Sequence, residues 1–199
     1  MFAVDLGNDA ELRPLETWHA EQFAEHMDRA RVHIRPWVGP AFVTATVDGA
    51  RGTLQRYASA SANDGARLFG IWRAGRLRGG AMFTHFDSAS GVCELGCWLE
   101  PAAEGRGLAA GACRLLLGWA FDERGLHRAE WRCRVDNERS ARLAQRLNMT
   151  LEGVLRQSWP VAGVRHDKQV WAILAPEWRA LPDAAASPLG GDRGSEGSV

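Results

Sequence analysis

Lysine is nearly missing from this sequence: Lys168 is the only one, so arginine carries almost all of the positive charge. Tyrosine is as scarce, with Tyr57 alone. Net charge is missing too, since Lys plus Arg and Asp plus Glu both number 24, and no overall field draws the chain toward nucleic acid or an anionic membrane. No apolar run approaches the roughly 20 residues that span a bilayer. The start, Met1-Phe2-Ala3-Val4-Asp5, lacks a basic stretch followed by an apolar one, so a cytoplasmic setting is expected. Cys93, Cys97, Cys113 and Cys133 show no C-x-x-C spacing, and no metal site is expected. Cys93 and Cys97 share a strand face about 13 Å apart at roughly 3.3 Å per residue, too far to bridge. Buried, reduced thiols are the expectation.

What is present is a chain of 199 residues, 46% of them hydrophobic, enough for one substantial core. One domain over residues 1–181 is expected. The stretch from Pro182 to Val199 is Ala, Gly, Ser, Pro and charge, too poor in bulky apolar side chains to offset its ordering entropy, and is expected to be a disordered tail. The periodicity predicts a short strand at Leu12 to Leu15, a helix from Thr17 to about His33, a turn around Pro36, Gly39 and Pro40, and a helix from Val47 to Ser61. Strands follow over Arg67 to Arg73, Leu77 to Phe86 and Val92 to Leu99, joined by Ala74-Gly75-Arg76 and Ser88-Ala89-Ser90-Gly91 as an antiparallel meander. Leu108, Ala112, Leu115 and Trp119 then recur at helical steps, predicting a helix from Gly107 to Arg124 closed by Gly125. Ala129 to Val135 alternates as a strand, Asn137 opens a short helix to about Leu147, and Leu151 to Trp159 pairs with Arg165 to Leu174 in a closing hairpin.

One segment carries a mechanism for holding phosphate. A strand, the glycine-rich turn Glu104-Gly105-Arg106-Gly107-Leu108-Ala109 and a helix follow one another, and the first N–H groups of such a helix are free to meet an anion at the positive end of its dipole. Gly105 and Gly107 would let the backbone approach the ligand without a Cβ in the way. A G-x-G turn alone is also what a plain tight turn looks like, and the spacing matches neither usual nucleotide fingerprint.

The order of pieces around that turn resembles the GNAT N-acetyltransferase superfamily, and within it the Rim branch, whose members acetylate N-termini of ribosomal proteins. The resemblance rests on Glu94-Leu95-Gly96-Cys97-Trp98-Leu99, the turn from Glu104 to Ala109, and Asn137-Glu138-Arg139-Ser140. Arg35-Pro36-Trp37 and Glu152-Gly153-Val154-Leu155-Arg156 extend it to about Leu12 to Trp178. It implies an α+β fold with a mixed, mostly antiparallel twisted sheet of about seven strands, its fourth and fifth splayed apart, flanked by about four helices. It implies acetyl-CoA or another acyl-CoA as co-substrate and a primary amine as acceptor, a protein N-terminal α-amine first and a small amine such as a polyamine, amino sugar or antibiotic as the alternative. A non-catalytic acyl-CoA sensor stays open as a different class.

The site residues follow from the same resemblance. The pantetheine arm would pair near Trp98 or Leu99, where a main-chain N–H receives the thioester oxygen. Gly105, Arg106, Gly107, Leu108 and Ala109 would hold the diphosphate, and Asn137 would bond the arm or cap its own helix. Arg139 and Arg142 would meet the 3′-phosphate or simply form a solvated helix face. Glu94 would take a proton from the incoming ammonium, directly or through water, or be an ordinary strand glutamate; Ser140 would supply one to the departing thiolate, or be an ordinary helix serine. His33, Arg35, Trp37 and His85 would line the acceptor side. Three departures stand out: Glu104 where the family usually places Arg or Gln, Asn148-Met149 in place of Gly-Phe, and no tyrosine after Asn137 to act as general acid. The edge strand of the closing hairpin leaves a homodimer open.

Overall fold

The computed structural model describes residues 3–39, 41–44, 46–161 and 163–182. The tail expectation falls almost entirely outside them. Among the described residues the backbone builds eight strands in one sheet: β1 (Val4–Gly7), β2 (Ala10–Pro14), β3 (Arg67–Arg73), β4 (Arg76–Asp87), β5 (Val92–Leu99), β6 (Arg128–Arg134), β7 (Thr150–Val161) and β8 (Val164–Leu174). Five α-helices accompany them: α1 (Ala20–Ile34), α2 (Val47–Ala62), α3 (Leu108–Gly118), α4 (Glu138–Arg146) and α5 (Ala175–Arg179). The sheet order is β1-β2-β3-β4-β5-β6-β8-β7, and every pairing is antiparallel except β5 with β6.

The extra elements have local causes. Asn8 and Asp9 both sit at φ 56, the two left-handed residues of a hairpin turn that folds β1 onto β2. Pro176 opens α5, and the Glu177 carboxylate accepts the Leu174 N–H at 2.9 Å. The helix predicted from Gly107 to Arg124 divides in two. Regular α3 ends at Gly118, and Trp119–Glu123 forms a wider turn in which Arg124 N–H reaches the Trp119 carbonyl at 3.0 Å. Asn148 takes the left-handed conformation at φ 58 that Gly would fill freely, and Met149 behind it is buried.

Two cores lie on opposite faces of the sheet. On one face Leu108, Leu116, Phe121, Leu143 and Trp178 pack over Phe83, Leu95, Trp131 and Ile173. On the other, Phe23, Met27 and Ile34 of α1 and Leu54 of α2 pack over Leu68, Met82 and Trp98. The Trp98 indole lies flat against β4, where a Cβ on Gly80 would stand 2.2 Å from Trp98 Cη2 and 2.3 Å from the Phe69 carbonyl. Glycine is therefore required there for the strand to accept the ring.

Trp98 is also held by polar contacts that no local pattern announces. Its Nε1–H donates to His26 Nε2 at 2.9 Å, so the imidazole proton sits on Nδ1, which faces Glu100 Oε2 at 3.5 Å, long for a hydrogen bond. Burial pushes the His26 pKa from its ordinary 6.5 down to about 4, against the pull of Glu100 and with the help of Arg29. A histidine whose native pKa is depressed takes up its proton in the unfolded chain first. Stability is therefore expected to fall as the pH drops from about 6.5 to about 4, by about 3 kcal/mol in all, with no further loss from this group below that. Thermal unfolding across that window checks it, and His26→Gln should flatten the slope.

Candidate active site

The parallel pair β5 and β6 stays together only from Val92↔Arg128 to Leu95↔Trp131. Beyond that point Gly96–Leu99 pairs with β4 alone, and Arg132–Arg134 with β8 alone. The backbone groups facing the fork have no strand partner on either side. This is the expected splay, one strand number later because β1 precedes it.

A cavity of about 520 Å³ occupies the fork. Its walls are Cys97, Trp98 and Leu99 of β5, Trp131 of β6, the turn residues Glu104, Gly105 and Gly107, the first turn of α3, and Asn137, Ser140 and Leu143 around α4. The end of α1 closes it with His33, Ile34, Trp37 and Val38. Such a shape suits a long, narrow ligand with an anionic end.

The anionic end has an identifiable seat. Gly107, at φ 76, is the N-cap of α3 and supplies no side chain to bond the helix, so the first-turn N–H groups at Leu108, Ala109 and Ala110 face the cavity uncapped. By contrast, the Thr46 hydroxyl caps α2 and the Asn137 amide caps α4. A Cβ at Gly105 or Gly107 would meet nothing within 4 Å, so both glycines border open space. Eleven residues of helix dipole end on these donors, an arrangement that binds phosphate.

Glu104 is turned away from those donors. His33 Nε2 lies 2.6 Å from Glu104 Oε1, and Arg139 contacts Glu104 Oε2 as well as His33 Nε2 at 2.9 Å. The carboxylate thus spends its charge on a contact that ties the turn to α1 and α4 across the cavity mouth. Arg142 lines the mouth too, paired with Glu138 at 2.6 Å. The Arg106 side chain is not part of the wall; its carbonyl accepts from Asn8 Nδ2 at 3.3 Å.

Ser140 is oriented from both ends. Its N–H donates to Asn137 Oδ1 at 3.2 Å, and its Oγ accepts the Trp131 indole proton at 2.9 Å. With the oxygen already an acceptor, the hydroxyl hydrogen is left to be donated, either into the cavity or to the neighbouring Cys133 sulfur. Trp131 is a functional neighbour that the sequence reading missed, because its link to Ser140 is visible only as strand alternation meeting a helix turn.

The remaining predicted residues lie toward the other face. Glu94 is absent from the cavity wall; it sits two residues before the fork, on the same side of β5 as Trp98, with Oε2 3.5 Å from Arg132 Nε. His85 is its direct partner on β4. Trp37 lies beneath the Arg134 guanidinium at 5.1 Å, and Arg134 Nη1 also donates to the Pro36 carbonyl at 3.1 Å. Arg35 is exposed at the end of α1 and does not line the cavity. The four thiols are free, and three are buried. Burial pushes the Cys93 pKa up to about 12, and the Cys97 thiol beside it, together with burial, raises that of Cys113. Cys97 alone lines the cavity. Among the described residues, no helix is long and apolar enough to cross a membrane.

An open mixed sheet forked between two parallel strands, with an uncapped helix start at the fork, defines an enzyme that threads a long anionic co-substrate through its sheet. The model of the acetyltransferase (GNAT) domain family matches residues 10–150. The chain is 28% identical over 183 residues to a putative ribosomal N-acetyltransferase, YdaF, of Bacillus subtilis (strain 168), covering 89% of this chain and 98% of that protein. It is 30% identical over 119 residues to the ribosomal-protein-serine acetyltransferase of Escherichia coli (strain K12), covering 60% and 66%. A solved structure of RimL, a ribosomal L7/L12 alpha-N-protein acetyltransferase in complex with coenzyme A, shares the fold at a TM-score of 0.80, with 22% identity, 86% of this chain and 97% of that one covered. The chain belongs to the GNAT acetyltransferase family. It is an N-acetyltransferase that resembles the Rim branch, with acetyl-CoA as its co-substrate.

Proposed function

We propose that this enzyme acetylates the N-terminal α-amine of a protein, with ribosomal proteins the first acceptors to test, by direct attack in a ternary complex. The observation that carries the reading is the fork itself: it joins a cavity headed by free helix donors to a sheet face bearing Glu94. The names of the relatives support the choice of acceptor.

In this reading the N–H groups of Leu108 and Ala109, with Gly105 and Gly107 giving access and Arg106 adding charge, hold the diphosphate. Arg139 and Arg142 meet the 3′-phosphate. Unpaired main chain at Trp98 and Leu99 binds the pantetheine arm, helped by Asn137, and an N–H there stabilises the oxyanion. His33, Arg35, Trp37 and His85 border the incoming chain. An α-amino group has a pKa near 8, so Glu94 needs to withdraw a single proton, directly or through one water, to yield the neutral nucleophile. The amine nitrogen then bonds to the acyl carbon, the carbon–sulfur bond breaks, and Ser140 gives its hydroxyl proton to the departing thiolate and is reprotonated by the proton that the new amide nitrogen sheds. The reaction belongs in the cytoplasm, where free thiols such as these stay reduced. A homodimer would cover the β7 edge, where Leu151, Val154 and Leu155 are exposed.

A mass-spectrometric screen of peptides with free N-termini and of small amines, each with acetyl-CoA, tests the acceptor. Peptide α-amines should be acetylated, and turnover confined to polyamines, amino sugars or other small amines would overturn the reading. On the best peptide, Glu94→Gln is expected to lower kcat/KM by about 100-fold at neutral pH, with recovery as the pH rises toward and past the pKa of the amine.

A further inference from the structure

The sheet face around Glu94 is crowded with charge, and nearly all of it is paired. Arg128 bonds Glu130 and Glu152, Arg132 bonds Glu130 and approaches Glu94, and Arg134 bonds Asp136. Lys168 differs. Its Cα partner on β6 is Arg134, so its side chain rises on the same face as the Trp37 segment that Arg134 touches. Its Nζ rests 4.1 Å from the centre of the Trp159 ring, and among the described residues it makes no ion pair. Burial lowers its pKa, the Glu94 charge opposes that fall, and Arg132 adds to it. A half-buried ammonium that feels Glu94 only at a distance, with no contacting carboxylate among the described residues, has given up hydration for one aromatic face, an unfavourable exchange unless an anion completes it.

We propose that Lys168 is a specificity-determining residue that pairs with a carboxylate of the acceptor, carried by an Asp or Glu two or three positions into the acetylated chain. This rests on the reading of a protein N-terminus as acceptor, with its amine beside Glu94. Glu94 pairs with Glu130 and Lys168 with Arg134, four residues further along β6, so the two backbones are offset by about 13 Å along the strands and roughly 10 Å across them, and the Glu94 and Lys168 side chains span part of that gap. An extended peptide advances about 3.3 Å per residue, and the side chain of its second or third residue covers the remainder. The arginines of this sheet face, Arg128, Arg132 and Arg134, are occupied by the protein's own carboxylates, whereas Lys168 contacts none among the described residues. Trp159 holds the ammonium at its ring face, where one side of the cation is covered and the other is left for an anion.

The test compares kcat/KM for peptides with a free N-terminus that differ at the second and third positions: Glu, Gln or Lys, with everything else constant. The wild type is expected to favour the Glu peptide over its Gln partner by about tenfold, the usual size of one charge-assisted contact. Lys168→Met, which keeps the stem against Trp159, should erase that ratio while turning over the Gln peptide at nearly the wild-type rate. Lys168→Glu should reverse the order toward the Lys peptide. A wild type that treats the peptides alike, or a preference that survives Lys168→Met, overturns the proposal. Should no peptide react at all, the protein N-terminus reading falls by itself. Lys168 is then judged by the same variants on small amines that carry or lack a carboxylate, and indifference to that group sinks it.

Discussion

Gly107→Trp is expected to weaken acetyl-CoA binding by at least about 100-fold, measured by titration calorimetry, while the protein still folds. The loss follows from blocking two or more charge-assisted bonds to the diphosphate, together worth about 3 kcal/mol or more. The side chain has room, since a Cβ at this position meets nothing within 4 Å, but that space is where the anion would lie. Strain from a left-handed φ of 76 adds a stability loss of roughly 1–2 kcal/mol. That corresponds to a fall in Tm of about 2–8 °C for a chain of this size. Gly75→Trp supplies the control: φ is 70, nothing lies within 4 Å, and the residue sits in the β3–β4 turn, outside the cavity wall. It should lose similar stability and bind acetyl-CoA as the wild type does. Equal affinity in both variants would remove the diphosphate from the start of α3.

Glu100→Ala is expected to cost about 3–5 kcal/mol of stability, the usual consequence of taking one member from a buried ionic cluster. Glu100 is 3% exposed, and its carboxylate accepts from Arg29 Nε at 3.1 Å and Arg78 Nη1 at 2.5 Å, beside His26. Burial pushes its pKa up, yet the bonds from Arg78 and Arg29 outweigh that and hold it below the ordinary value. Removing it leaves the Arg29 Nε–H and the Arg78 Nη1–H without their shared acceptor and takes the carboxylate charge from beside His26. A drop in Tm of roughly 6–20 °C in calorimetry would agree, and a change within a degree or two would show that water replaces the carboxylate freely. Because His26 holds the Trp98 indole, the variant should also raise the KM for acetyl-CoA, where a purely peripheral ion cluster would not.

Much of the fold was legible because its signals are local. The meander β3 to β5, the closing hairpin and the cap at Asn137 follow from alternation, turn residues and a side chain that bonds backbone a few positions away. β1 and α5 were missed although Asn8-Asp9 and Pro176 marked them, since four or five residues show too little periodicity to register. In the site, Gly105, Gly107 and Asn137 could be chosen from the chain alone. Leu143 and Ile34 could not, because they reach the cavity as core residues of helices distant in sequence.

By itself the sequence determined where backbone donors would be left free. A glycine at the head of α3 has no side chain with which to cap it, and that is a property of one residue and its neighbours. Only the tertiary structure decided what the charged residues face. Glu104 in the glycine-rich turn would repel a diphosphate held there, yet α4 brings the Arg139 guanidinium against its carboxylate. Lys168 would be one more surface cation had the register of β6 and β8 not set it, among the described residues, without an ion pair beside satisfied arginines. Electrostatic roles depend on distances between groups far apart along the chain, and those distances exist only once the sheet has closed and forked.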